Sequence, residues 1–385
     1  MNETIKQQND FCGISAWHSH GWTGRGVKVW NAENTTEKQE AHGDGTTNRI
    51  LDAAPDADVT PSFHYINTSG EHITDEYVME QGKKLSAAQF VNYHGFHIVS
   101  SSQSGEKRST EERRTLYGNL RRKYNLTMFN SAGNDGSAGV KGGKIPESEA
   151  IYVGACMAFK QNYDDLRMWN YSSVGDEDDE VDFSTFIGNA PPGTSFSCPY
   201  LAGTTALLLQ RYGTDMTSAE VYQFYKMCAR PIDTGHQYKE GYDLWSGYGV
   251  PILPDPSRRL VRMTIGSKFY KVDGKVETMD TAPFIQDSRT FVPIAFVALA
   301  LGCKVSWDPR EQRVILSKNG RIVTMEIGKT FYTIYENGKS KVTKMDTAPF
   351  IKNSRTQVPL AFAGLALGCK VEWIESERKV MILEA

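Results

Sequence analysis

Residues 279–307, MDTAPFIQDSRTFVPIAFVALALGCKVSW, recur at 345–373 as MDTAPFIKNSRTQVPLAFAGLALGCKVEW, a period of 66 residues. Similarity this close marks the duplication of one structural unit, so the last third of the chain must fold as two copies of a small motif. In each copy an apolar run, Val292 to Leu301 and Val358 to Leu367, predicts a short buried helix halted by Gly302 or Gly368. Beyond each helix, CKVSWDPREQRVIL and CKVEWIESERKVMIL alternate like two strands around a polar turn. Cys303 and Cys369 fall at equivalent points of the helix-to-strand corner, where core packing outweighs metal binding as their use.

The repeats also differ from the rest of the chain in charge. Residues 258–385 hold 21 Lys+Arg against 13 Asp+Glu, a balance of +8, whereas residues 1–257 hold 22 against 33, a balance of −11. The two regions should therefore meet different partners. Between them, PILPDPSRRL at 251–260 has three prolines and reads as a linker. The expected organisation is a first domain at 1–250, a linker at 251–261 and a module at 262–385, with repeats at about 262–320 and 321–385.

With 385 residues, 39% hydrophobic and 23% charged, the chain has ample material for two cores. No run approaches the roughly 18 apolar residues of a membrane helix, so no membrane span is expected. The start, MNETIKQQND, lacks the apolar segment of a secretory signal. That favours the cytoplasm, with a released or cell-surface bacterial or phage protein as the alternative. Six cysteines are scattered without a Cys-x-x-Cys pair and read as buried free thiols, neither a zinc site nor a disulfide framework.

Before the linker, short β-like runs (Val27–Ala32, Asp58–Phe63, His97–Ser101, Leu126–Ala132, Ala150–Ala155) alternate with stretches of helical character, notably Asp75–Tyr93 and Glu111–Tyr124. Such alternation implies an α/β domain whose mostly parallel sheet is covered by helices on both faces. Functional groups in such folds collect at the carboxyl ends of the strands. Four blocks occupy places of that kind: GWTGRGVKVWNAEN at 21–34, AHGDGTTNRI at 41–50, NSAGNDG at 130–136 and GTSFSCPYLAG at 193–203. Taken alone, Ser195 is either a helix cap or a nucleophile held at a helix N-terminus.

Taken together, the four blocks resemble the subtilisin-like serine proteases over most of residues 11–250. The resemblance implies a peptide-cleaving enzyme with Ser195 as nucleophile and Asn134 as oxyanion donor beside the Ser195 amide. His42 falls on the general base, although only His42 and Gly43 of its block match the family pattern. Glu33 falls on the orienting aspartate, one methylene longer than the family's residue, with Asp44 and the neutral Asn31 as competitors. IVSSSQSGE at 98–106 resembles the edge that pairs with extended substrate, with Ser101, Ser102 and Gln103 nearest the scissile bond, and Asp135 sits where it can favour a basic side chain.

No cofactor is expected, and calcium binding by the acidic run GDEDDEVDF at 175–183 competes with its being a solvated loop. The C-terminal repeats resemble the N-terminal domain of copper amine oxidases and bacterial stalk modules. They hold no histidine, since none occurs after His236, so no copper site is implied. Their basic balance suits a cell-wall polyanion or another protein, besides the peptide or protein substrate of the first domain. A catalytically impaired relative that binds peptides through the same cleft is the rival reading.

Overall fold

The computed structural model describes residues 2–33, 40–69, 72–102, 111–136, 150–175 and 180–384. The chain divides into two compact units, Met1–Pro256 and Ser257–Ala385. The first opens with helices α1 (Glu3–Phe11) and α2 (Ile14–Ser19), then β1 (Lys28–Asn31), α3 (Glu40–Ala53) and β2 (Asp58–Pro61). A three-stranded antiparallel sheet, β3 (His64–Ser69), β4 (His72–Glu80) and β5 (Lys83–Leu85), comes before α4 (Ala87–His94). The order continues with β6 (Ile98–Ser101), α5 (Glu111–Tyr124), β7 (Thr127–Ser131), β8 (Ile151–Ala158), β9 (Leu166–Met168) and β10 (Phe183–Phe186). Helices α6 (Ser197–Tyr212) and α7 (Ser218–Cys228) follow, then the short pairs β11 (Ala229–Arg230) with β14 (Val250–Pro251) and β12 (Gln237–Lys239) with β13 (Tyr242–Asp243).

The central sheet has the order β10-β8-β7-β6-β1-β2, all parallel, with β9 antiparallel to β8. Alternating side chains send Trp30, Val99, Met128 and Tyr152 into one core with Phe90 and Val91 of α4 and Leu120 of α5. Residues of opposite phase meet α6, as where Ser100 Oγ approaches Cys198 Sγ at 3.9 Å. Both faces of the sheet are therefore covered, as the strand-helix alternation implied. α6 in turn packs against α3 so closely that a Cβ on Gly203 would lie 2.3 Å from the Ile50 carbonyl oxygen. That contact holds α3 at a fixed height beside the strand ends.

One expected helix is corrected. Of Asp75–Tyr93, only residues from Ala87 onward are helical, while His72–Glu80 form β4. Hairpin pairing of Tyr65 with Tyr77 and His64 with Val78 overrides local propensity there. The Glu76 carboxylate on β4 accepts from His64 Nε2 at 2.7 Å and from the Ala87 amide at 3.1 Å, tying the hairpin to the start of α4.

The second unit contains β15 (Leu260–Thr264), β16 (Phe269–Val272), β17 (Lys275–Thr278), β18 (Phe284–Gln286), β19 (Arg289–Pro293), α8 (Ile294–Ala300), β20 (Lys304–Asp308) and β21 (Arg313–Lys318). The second copy repeats this order as β22 (Arg321–Glu326), β23 (Phe331–Glu336), β24 (Lys339–Lys344), β25 (Phe350–Lys352), β26 (Arg355–Pro359), α9 (Leu360–Leu367), β27 (Cys369–Ile374) and β28 (Lys379–Glu384). The copies interlock. One sheet runs β17-β16-β15-β28-β27 and another β20-β21-β22-β23-β24, so each joins three strands of one copy to two of the other. A third, β18-β19-β26-β25, joins a hairpin from each. Arg289 pairs with Asp346 and Arg355 with Asp280, the same contact repeated at the 66-residue period.

The division between the two units falls within the proline-rich stretch expected as a linker, and the ends of that stretch are tied into the units on either side. Pro251 pairs with Ala229, the Leu253 amide donates to the Cys12 carbonyl at 2.9 Å, and Trp17 Nε1 donates to the Pro254 carbonyl at 2.7 Å. Leu260 already lies in β15, opposite Leu383.

Candidate active site

Glu33, Ser102 and Asn134 all follow the carboxyl ends of parallel strands: β1, β6 and β7. His42 lies in the first turn of α3, and Ser195 sits two residues before α6. β1 and α3 are pinned together by Asn31, whose Nδ2 donates to Thr46 Oγ1 at 3.0 Å and Thr47 Oγ1 at 2.9 Å. Asn31 is thus a tether for the histidine helix, and among the described residues no hydrogen bond joins it to His42.

Glu33 is buried at 2% exposure, and its two carboxylate oxygens have separate partners. Oε1 accepts from the Ser102 amide at 2.6 Å, and Oε2 faces His42 Nδ1 at 3.4 Å. The hydrogen bond from His42 to Glu33 raises the imidazole pKa above its ordinary 6.5, against the opposing effect of partial burial. With Nδ1 turned to a carboxylate, the proton of the neutral ring sits on Nδ1 and Nε2 is left as the basic nitrogen. Asp44, two residues along the helix, is exposed, and among the described residues no ion pair joins it to His42. The Phe196 ring packs against His42 with centroids 5.4 Å apart.

Ser195 is buried at 8% exposure. Its Oγ donates to the Ser102 carbonyl at 3.4 Å, and Ser102 Oγ donates to the Ser195 carbonyl at 2.9 Å. Among the described residues no hydrogen bond joins Ser195 to His42. The turn ahead of α6 is set by Thr194, whose carbonyl accepts from the Ser197 and Cys198 amides at 3.2 and 3.1 Å. The Cys198 thiol donates to the Ser101 carbonyl at 3.6 Å, and burial pushes its pKa up, away from the thiolate form.

Asn134 is exposed, and Thr194 fixes its orientation. Asn134 Oδ1 accepts from the Thr194 amide at 2.7 Å and from Thr194 Oγ1 at 3.0 Å. Both partners can donate only to the oxygen, so Nδ2 is turned away from Thr194 and is available as a donor. The turn that carries it begins at Gly133, with a φ of 105° that disfavours any side chain. Asp135 is exposed beside it, its amide held by Ser173 Oγ at 3.3 Å.

The structure therefore gathers Glu33, His42, Ser102, Ser195 and Asn134 into one constellation and leaves Asp44 out. Gln103 and residues 176–179 of the acidic run lie outside the described residues. Three contributors were not visible in the sequence: Ser102 as the link between Glu33 and Ser195, Thr194 as the anchor of Asn134, and Phe196 as the wall behind His42. Each acts through contacts between residues far apart along the chain, which spacing does not encode.

The family model of the copper amine oxidase N-terminal domain matches residues 257–308 and 271–382. The C-terminal unit is similar to that domain. No curated protein matches the chain in sequence. Among solved structures, a lanthipeptide protease is 18% identical with a TM-score of 0.44, covering 65% of this chain and 94% of that one. MycP1 from Mycobacterium smegmatis is 18% identical with a TM-score of 0.45, covering 65% of this chain and 85% of that one. Sphericase is 20% identical with a TM-score of 0.39, covering 52% of this chain and 70% of that one.

Proposed function

We propose that the N-terminal unit is a serine endopeptidase of the subtilisin-like kind. The contact between Glu33 and His42 carries the reading, because it sets the tautomer in which Nε2 can take a proton. In this mechanism Ser195 Oγ leaves the Ser102 carbonyl, passes its proton to His42 and attacks the peptide carbonyl. Glu33 stabilises the imidazolium, and Asn134 Nδ2 with the Ser195 amide holds the oxyanion. His42 then protonates the leaving amine, and water hydrolyses the acyl-enzyme. Base, nucleophile and oxyanion donors are all protein groups.

A specific observation favours the rival reading, a peptide-binding protein without turnover: Ser195 Oγ is bonded to the Ser102 carbonyl instead of His42. Hydrogen bonds of this kind often tighten only with substrate present, which keeps the peptidase reading ahead. A fluorophosphonate probe separates the two. Labelling at Ser195 that disappears in His42→Ala is the expected result, and folded protein that takes no label is a binder.

We assign the basic C-terminal unit to holding an anionic polymer. Its excess of Lys+Arg over Asp+Glu, 21 against 13, supports this. Surface charge is screened over about 10 Å at 0.1 M salt, so retention of this unit on teichoic acid should fall steeply as salt rises.

A further inference from the structure

A cavity of about 150 Å³ lies in the N-terminal unit between α1, the end of β8 and the segment after β10. A space of this order admits a benzene ring. It shares Gln7, Gln161 and Tyr163 with a shallower surface depression of about 480 Å³, which gives it a way out to solvent. None of Glu33, His42, Ser102, Ser195 and Asn134 is among its described lining residues, so it is a place apart from the catalytic constellation. Met157, Ala158, Phe186 and Ile187 make its walls largely apolar, and none of the described lining residues carries a charge.

Two strong donors at this cavity are buried without an acceptor. One is the indole N–H of Trp169, in the lining itself. The other is Nε of Arg49, a side chain of α3 at 2% exposure. The NH2 group of that guanidinium donates to Gln8 Oε1 at 2.7 Å and to the Phe186 carbonyl at 2.9 Å, and its Cζ lies 3.1 Å from where a Cβ on Gly188 would stand. Gln8, Phe186 and Gly188 all line the cavity, so the guanidinium sits directly behind its wall. Gly188, at a φ of 72°, keeps that wall free of a side chain, and the Gln8 amide is the part of it that a rotamer change swings aside. Buried donors of this strength are rarely left unpaired, and two around one cavity call for an acceptor that binds there. Burial also pushes the Tyr163 phenol up to about 12, which keeps a third donor protonated at the mouth.

We infer that this cavity is a binding site for a monocarboxylate whose apolar body is about the size of a benzene ring. The carboxylate takes Arg49 Nε and NH2 in place of the Gln8 amide, with the Trp169 N–H as a further donor, while Met157, Ala158 and Ile187 enclose the body. One negative charge is the limit. NH1 of Arg49 already faces Asp52 Oδ2 at 3.1 Å, and Asp10 lies on the outer depression, so a second charge on the ligand would be buried without a partner. The site is independent of the peptidase reading.

The test titrates the full chain with phenylacetate and with its neutral isostere phenylacetamide, following the Trp169 indole N–H in a nitrogen-15 spectrum assigned with Trp169→Phe. Phenylacetate should bind about 10- to 100-fold tighter than the amide, the range of a hydrogen bond to a charged group, and should shift the Trp169 signal. Benzylphosphonate, which carries more charge, should bind more weakly than phenylacetate. Arg49→Met should bring acid and amide to equal affinity. Ala158→Leu touches none of the Arg49 contacts and fills the space, so it should abolish binding of both and keeps the site testable if Arg49→Met does not fold. Equal affinity for acid and amide in the parent chain, a preference for the acid that survives Arg49→Met, or binding that survives Ala158→Leu overturns the site. A second comparison identifies the source of the carboxylate: in the full chain carrying Ser195→Ala, the tetrapeptide Ala-Ala-Ala-Phe as free acid is set against its C-terminal amide. Competition with phenylacetate by the acid alone assigns the site to peptide chain ends, no competition by either assigns it to free small acids, and competition by both overturns the requirement for a carboxylate.

Discussion

At the scale of single residues, Glu33 uses its length to make two contacts at once. The longer side chain splits its two oxygens between the Ser102 amide and His42 Nδ1, at 2.6 and 3.4 Å. Glu33→Gln keeps the shape, removes the charge and should lower kcat by about 10⁴-fold in a peptide assay, the scale seen when an orienting carboxylate becomes an amide. The pH profile gives an independent check. Glu33 raises the His42 pKa, so the acidic limb of kcat/KM should have its midpoint above 6.5 and move down in Glu33→Gln. The same shift has a stability sign: a folded-state pKa above the unfolded value adds stability below about 6.5, and this is lost as pH rises through the folded pKa. Asn134→Ala should cost about 10²–10³ in kcat, the scale of one oxyanion donor. A parental rate in that variant would remove Asn134 from the mechanism.

At the scale of elements, the proposed mechanism depends on where α3 stands relative to the sheet. Three contacts decide this: Asn31 to Thr46 and Thr47, the Gly203 crossing with α6, and the buried Arg49 of α3, which donates to Gln8 Oε1 at 2.7 Å and the Phe186 carbonyl at 2.9 Å. Gly203→Ala places a methyl 2.3 Å from the Ile50 carbonyl oxygen, so the helices must separate. The expected loss is about 1–3 kcal/mol in denaturant unfolding, with a fall in kcat as His42 shifts away from Ser195. An unchanged midpoint and rate would mean that α3 tolerates displacement. Element identity was readable where periodicity was clear: five of the expected strands became β1, β2, β6, β7 and β8, and Glu111–Tyr124 became α5. The segment at 75–80 was misread because its residues accept either state and only pairing with β3 selects the strand.

At the scale of the whole molecule, the duplication has a consequence beyond repetition. Each five-stranded sheet of the C-terminal unit takes strands from both copies, and β15 pairs with β28, nearly the first and last residues of the unit. One copy alone would leave β15, β19 and β21 with open edges. A fragment of residues 257–320 should therefore be unfolded or self-associate in sedimentation, and mixing it with residues 321–385 should restore a compact, soluble pair. A monomeric, cooperatively folded 257–320 would show that the interlock is dispensable. By itself the sequence determined the repeat, the charge division, most of the elements and the small-residue turns that carry Ser195 and Asn134, because these are local patterns a few residues long. Tertiary structure alone decided that Glu33 and not Asp44 reaches His42, that Ser102 joins two members of the site, and that the copies exchange strands. The Ser102 contacts and the strand exchange join segments from 69 to 123 residues apart, and even Glu33 and His42, nine residues apart, meet only because α3 is packed beside β1.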